Sequence, residues 1–331
     1  MFLFKKNMKS NDSPIDWKKY FPHQIFIDKQ IPIYYNNTNH GPILFCLHGA
    51  GHSALSFSLL SEISNNYRLI SYDFRAHGNN TSQPEDDLSM ATLVADTEKV
   101  LLKICELFPK ETIIVIGHSL GGAVAVKTCV HIFKTEFNQD LYNRIQGLIV
   151  IDVIEGSAME ALPFMKSVIE KKQKEFNSVN EAISYMAGSQ IRNLQSCRVS
   201  IPPLLKHVKN AKGKKVYTWK TDLYKTEKFW DDWYKDLSSQ FLGIKVPKAL
   251  ILTDTNELDT PLTVGHMQGK FKLCVIKGTG HFIMEDDPAA MMDQINQFCQ
   301  VFRMPRTVDD IKLIKSELGD QVKVVKYSGS I

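Results

Sequence analysis

The sequence predicts an α/β architecture in which a mostly parallel central sheet is flanked by helices. Two observations carry this prediction. Short apolar runs at residues 43–47, 68–72, 112–116 and 145–151 have the length and continuity of strands buried on both faces. Helical patterns at 54–63, 89–107 and 121–133 fall between them. Strands alternating with helices imply right-handed βαβ units, and therefore parallel neighbours.

The remaining elements follow in chain order. Residues 1–22 form a polar lead-in that is expected to be disordered. Residues 24–28 and 31–35 read as two short strands with a tight connection. The alternation stops at Glu155. From there to about residue 240 the chain is helical, aromatic and Lys-rich, with no convincing buried strand. The strand pattern resumes at 246–252 and 271–276, followed by a helix near 288–302. The expected organisation is one domain over 23–302, interrupted after the sixth core strand by a helical cap at about 155–240. In the tail, 303–331, residues 308–317 suit a helix and 322–327 have strand propensity.

Composition narrows the class. With 331 residues, 44% of them apolar, the chain can bury one large core. A net charge of +4 is too small to argue for nucleic acid. No apolar stretch approaches the length of a membrane span, and the N-terminus lacks a signal-peptide pattern. The six cysteines are scattered without a C-x-x-C pair, which reads as free thiols in a reducing compartment, cytoplasm or nucleus.

The chemistry is carried by Gly117-His118-Ser119-Leu120-Gly121, set between the run 112–116 and the small apolar stretch Gly122-Ala123-Val124-Ala125-Val126. Gly-x-Ser-x-Gly between a buried strand and a helix is the nucleophile elbow of the α/β-hydrolase fold. The turn is so sharp that Ser119 must take a strained conformation and its neighbours need almost no side chain. A seryl hydroxyl also requires a general base. His281, in Gly280-His281-Phe282 after the last strand, has the right place in the chain. A carboxylate must fix the imidazole tautomer. Asp152, at the end of the run 145–151, competes with Asp254 and Asp259, which follow the strand 246–252. Strand position alone favours the later pair. Backbone donors for an oxyanion are expected at Leu120, after the nucleophile, and at Ala50 in His48-Gly49-Ala50-Gly51.

Several further peptides resemble one family, the methylesterases of protein phosphatase 2A. They include His48-Gly49-Ala50-Gly51-His52-Ser53, Ile151-Asp152-Val153-Ile154-Glu155-Gly156, Gln190-Ile191-Arg192-Asn193-Leu194 and Met267-Gln268-Gly269-Lys270-Phe271. The resemblance spans about residues 43–298. It implies that the catalytic acid is Asp152, leaving Asp259 as runner-up. It also implies a serine carboxylesterase that demethylates the C-terminal leucine of the phosphatase catalytic subunit and binds that subunit as partner. No metal or organic cofactor is called for. The acidic, Ser-rich cap insert of animal members shrinks here to the short basic piece 209–215. In the cap, Tyr217, Trp219, Phe229, Trp230, Trp233 and Tyr234 read as one aromatic cluster, chiefly cap core, with a substrate wall as the alternative. Arg192 and Arg198 suit either a structural role or the substrate tail.

Overall fold

The computed structural model describes residues 12–38, 41–135, 138–254 and 258–318. In chain order the strands are β1 (His23–Ile27), β2 (Ile31–Tyr35), β3 (Ile43–Leu47), β4 (Arg68–Tyr72), β5 (Ile113–His118), β6 (Ile145–Ile151), β7 (Glu175–Phe176), β8 (Leu205–Lys209), β9 (Lys215–Trp219), β10 (Lys248–Leu252) and β11 (Lys272–Val275). Eight of them form one sheet in the order β1-β2-β4-β3-β5-β6-β10-β11. The first two pairings, β1 with β2 and β2 with β4, are antiparallel; the rest are parallel.

Both faces of this sheet are buried, which is why its strands read as continuous apolar runs rather than alternations. Ile43, Phe45, Leu47, Ile113 and Val115 belong to one core, while Leu44, Cys46, Ile114 and Ile116 belong to the other. Successive side chains point to opposite faces, so each strand feeds both layers. The helices Met90–Leu107 and Leu120–Thr135 bury their apolar stripes on the first core. The helix Pro288–Val301 covers the second, with Met291, Ile295 and Phe298 turned inward.

The excursion between β6 and β10 differs from the expected all-helical cap. Besides the helices Glu155–Lys171, Val179–Ser189 and Leu194–Ser200, it holds a three-stranded antiparallel sheet in the order β7-β9-β8. β8 is mostly exposed, and β9 buries fully only Val216, so neither carries the apolar run that marks a buried strand. Glu155 closes the excursion at its base: its carboxylate accepts the Asp236 and Ser238 N–H groups, both at 2.9 Å.

The N-terminal lead-in departs from expectation, whereas the tail forms the helix expected at 308–317, here Val308–Leu318. From Asp12 onward the lead-in is pinned rather than loose. Arg198 Nε donates to Ser13 O (2.6 Å), Ile15 N–H donates to Arg198 O (2.9 Å), and Tyr20 and Phe21 are buried. In the tail, Thr112 N–H donates to Arg306 O (3.1 Å) and Val308 N–H to Lys110 O (2.8 Å), which anchors the helix Val308–Leu318 beside the start of β5. The strand expected at 322–327 lies outside the described residues.

Candidate active site

The sheet order reverses between β3 and β5: from β3 the chain moves to β4 on one side, then returns to β5 on the other. Loops leaving the carboxyl ends of two such strands diverge and open a crevice. Registration brings the candidate residues to the rim of this crevice. Leu47 pairs with Gly117, His118 with Ile151, and Ile151 with Ile251. The peptides that follow, beginning at His48, Ser119 and Asp152, therefore emerge at one level.

Ser119 has φ 53°, the left-handed conformation expected of the elbow. Its N–H donates to Ile151 O (3.0 Å), and its carbonyl accepts from Gly122 N–H (2.8 Å), so the strain is held from both sides. The flanking glycines are required by contact. A Cβ at Gly117 would lie 2.1 Å from Gly121 O, and one at Gly121 would lie 2.2 Å from Leu47 O.

His281 Nδ1 donates to Asp152 Oδ2 (2.7 Å), joining residues 129 positions apart. Asp152 is itself in a left-handed turn (φ 50°), with its N–H on Ile251 O (2.8 Å). Its Oδ1 accepts Thr253 N–H (3.3 Å), so both carboxylate oxygens have assigned donors. Asp259 is committed elsewhere. One oxygen caps the helix Thr260–Met267 through Leu262 N–H (2.9 Å), and the other accepts the Ser238 hydroxyl (2.6 Å). Asp254 is exposed at the end of β10. Of the three carboxylates weighed in the sequence, Asp152 meets the imidazole.

The loop after β3 faces the elbow. A Cβ at Gly49 would fall 3.3 Å from Ser119 Cβ and 2.9 Å from His118 Nδ1, so only glycine lets this backbone come so near. Among the described residues, Ala50 N–H and Leu120 N–H donate to no protein acceptor. Unsatisfied donors beside a nucleophile are what an oxyanion site requires. Two buried imidazoles brace the loop. His48 Nδ1 donates to Gly49 O (2.8 Å) and its Nε2 accepts Phe74 N–H (2.9 Å). His77 Nδ1 donates to Arg75 O (2.7 Å) and its Nε2 accepts Gly51 N–H (2.9 Å). Each ring needs one bare nitrogen, and burial lowers both pKa values, that of His77 to about 4.

Comparison with known proteins shows the family and the fold. The model of the alpha/beta hydrolase family matches residues 43–294. Protein phosphatase methylesterase 1 of Schizosaccharomyces pombe is 37% identical over 310 residues, covering 89% of this chain and 87% of its own. The human protein of the same name is 33% identical, covering 88% and 85%. This chain belongs to the protein phosphatase methylesterase family of alpha/beta hydrolases. Among solved structures, E-2-(acetamidomethylene)succinate hydrolase superposes with TM-score 0.64 at 18% identity, over 84% of this chain and 98% of its own, a likeness of fold alone.

Against this family framework, several residues have roles that sequence reasoning did not assign. His118 Nε2 donates to His281 O (2.8 Å) and so supports the histidine loop. Asp286 ties that loop to the cap: its carboxylate accepts Gly280 N–H and Arg192 N–H, both at 2.7 Å. The Arg192 guanidinium donates to Gly278 O, and Arg198 holds the N-terminal segment, so each arginine has a structural contact. Fully buried Glu285 accepts hydroxyls from Ser196 and Ser200 of the cap, each at 2.7 Å, and lies 3.6 Å from His52 Nδ1. The adjoining acids Glu285-Asp286, in an otherwise apolar turn just after His281, were the available signal.

The six cap aromatics do not form one cluster. Trp230, Trp233 and Tyr234 join the core on one side of the sheet, whereas Tyr217 and Trp219 pack against the other. Tyr234 is buried, which pushes its phenol up to about 12, and its side chain interacts with that of Ser119. It therefore forms part of the ceiling over the elbow.

Proposed function

We propose that this protein is a serine carboxylesterase that removes the methyl ester from the C-terminal leucine carboxylate of the protein phosphatase 2A catalytic subunit. The observation that carries the proposal is the 2.7 Å contact between His281 Nδ1 and Asp152 Oδ2, beside a serine held at φ 53°. An imidazole that donates through Nδ1 keeps Nε2 bare and able to accept a proton.

Ser119 Oγ attacks the ester carbonyl while His281 takes its proton. The oxyanion receives the Ala50 and Leu120 N–H groups, each contributing about 3 kcal/mol in the transition state. His281 returns the proton to methanol as the C–O bond breaks. Water, deprotonated by the same imidazole, then attacks the acyl-enzyme and releases the free carboxylate with regenerated Ser119. Asp152 holds the tautomer and stabilises the imidazolium. The phosphatase subunit is at once substrate and partner, met in a reducing compartment, cytoplasm or nucleus. Support for this substrate comes from the relatives named above, whose names specify protein phosphatase methylesterase and which match 88–89% of this chain.

The test is incubation with methylated catalytic subunit, following loss of the methyl group. Wild type is expected to demethylate it and Ser119→Ala is not. A fluorophosphonate probe should label wild type and not Ser119→Ala. Retained activity in that variant would overturn the proposal. Labelling without demethylation would reject the substrate while keeping the esterase.

A further inference from the structure

One feature that the triad leaves unused is a cavity of about 370 Å³ between the cap and the loop after β3. Gly51, one residue beyond the candidate donor Ala50, forms its floor, and Leu204, Trp219 and Leu223 give it apolar walls. Leu223 of the cap packs on Gly51: a Cβ there would meet Leu223 Cδ1 at 3.1 Å. The cavity therefore opens beside the oxyanion donors rather than at a remote surface.

Its charged lining is lopsided. Lys172, Lys174, Lys206 and Lys220 face two acids, Glu175 and Asp222. Both acids have other engagements. Asp222 caps the turn Leu223–Phe229 through Tyr224 N–H, and Glu175 accepts the Asn210 amide at 3.5 Å. Lys220 is satisfied by Gly78 O (2.7 Å) and Asn79 Oδ1 (3.2 Å). Lys174 and Lys206 are exposed to solvent, whereas Lys172 is not. Its ammonium lies 4.1 Å over the Trp219 ring, and among the described residues it meets no carboxylate. Burial without a counter-ion pushes its pKa down to about 8, and its charge reaches His52 behind the loop. A cation held in an aromatic-walled cavity without an anion is an arrangement that a negative ligand completes.

We propose that this cavity is a subsite for a carboxylate side chain of the substrate peptide, carried within the few residues before the esterified terminus and received by Lys172. The assignment of the occupant as substrate rests on the esterase reading above. The cavity adjoins the oxyanion loop, so a chain whose ester carbonyl meets Ala50 N–H passes its preceding residues across Gly51. One desolvated ammonium suits one negative charge. The Trp219 face and the leucine walls take up the methylenes that carry it.

The test uses short peptides ending in leucine amide, labelled with a fluorophore, in which one Asp is walked through the positions before the terminus and compared with Asn. Anisotropy gives their affinities without turnover. At pH 7, wild type is expected to favour one Asp peptide over its Asn twin about tenfold, the scale of a charge-assisted hydrogen bond. The ratio should fall towards one by pH 9.5 as the ammonium loses its proton. Lys172→Met should bring the ratio to about one at every pH. Lys172→Arg should restore it and hold it through pH 9.5, which a merely structural lysine would not do. Equal binding of Asp and Asn peptides by wild type, or an undiminished ratio in Lys172→Met, would overturn the inference. The same pairs as leucine methyl esters separate the two readings. Ser119-dependent hydrolysis without charge preference would sink the subsite alone. Charge-selective binding without hydrolysis would keep the subsite and sink the esterase.

Discussion

Exchanging Asp152 for Asn tests the acid assignment more sharply than deleting it, because the shape of the side chain is kept. The carboxylate has two tasks: Oδ1 accepts Thr253 N–H at 3.3 Å and Oδ2 accepts His281 Nδ1–H at 2.7 Å. An asparagine has one acceptor. If its oxygen serves Thr253, its NH₂ faces His281 and favours the tautomer protonated at Nε2, which cannot take the Ser119 proton. If its oxygen serves His281, Thr253 N–H meets an N–H donor, and the imidazolium loses its counter-charge in either case. A loss of about 10⁴ in kcat is expected, the size seen when a serine-protease triad aspartate is replaced by asparagine, or about 5.4 kcal/mol at 1.36 kcal/mol per decade. The parallel variant Asp259→Asn removes a helix cap, so it should cost about 1 kcal/mol of stability while leaving kcat within about threefold. Both can be read on a peptide ending in leucine methyl ester, with rates corrected for folded fraction by circular dichroism. Asp152→Asn retaining a tenth of wild-type kcat, or a thousandfold loss in well-folded Asp259→Asn, would refute the reasoning.

Three further outcomes follow from the packing. His77 is buried and stays neutral down to about pH 4, whereas in the unfolded chain it protonates near 6.5. The unfolded state therefore binds the extra proton in that window, so stability is complete above pH 6.5 and declines by about 3 kcal/mol as pH falls to 4. His77→Gln, which can keep one donor and one acceptor, should flatten the dependence of the urea midpoint on pH by about one proton; an unchanged slope would count against the assignment. Gly121→Ala brings a methyl group to 2.2 Å from Leu47 O, backbone against backbone, and is expected to prevent native folding, as judged by loss of a cooperative thermal transition. Glu155→Ala leaves the Asp236 and Ser238 N–H groups without their acceptor, costing about 1–3 kcal/mol, and should hasten proteolysis within the cap before that of the sheet domain.

Much of this protein is written locally in its sequence. The strands that build the parallel sheet are continuous apolar runs because they are covered on both faces, and that pattern survives without any partner in view. The elbow is equally local: Gly117 and Gly121 are set by steric contacts within a dozen residues and with one neighbouring strand. Ser119 and His281 were legible as candidates because the fold assigns the nucleophile and the base to fixed places along the chain. The cap strands were not, since β8 and β9 are short and half exposed, so their pairing leaves no strong periodic trace.

The tertiary structure alone decided matters that depend on which distant groups meet. Strand position does not separate Asp152 from Asp254 and Asp259; the family resemblance implied Asp152, and the hydrogen bonds set that carboxylate against an imidazole while Asp259 caps a helix. The structural contacts of Arg192 and Arg198 became visible only once their acceptors, Gly278 O and Ser13 O, were brought beside them. Lys172 is one lysine among many in the sequence, and it became distinctive only when Trp219, 47 residues later, covered its ammonium. Side-chain type and local pattern fix what a residue can do. Its desolvation and its counter-charge are properties of the assembled neighbourhood, and these determine what it does.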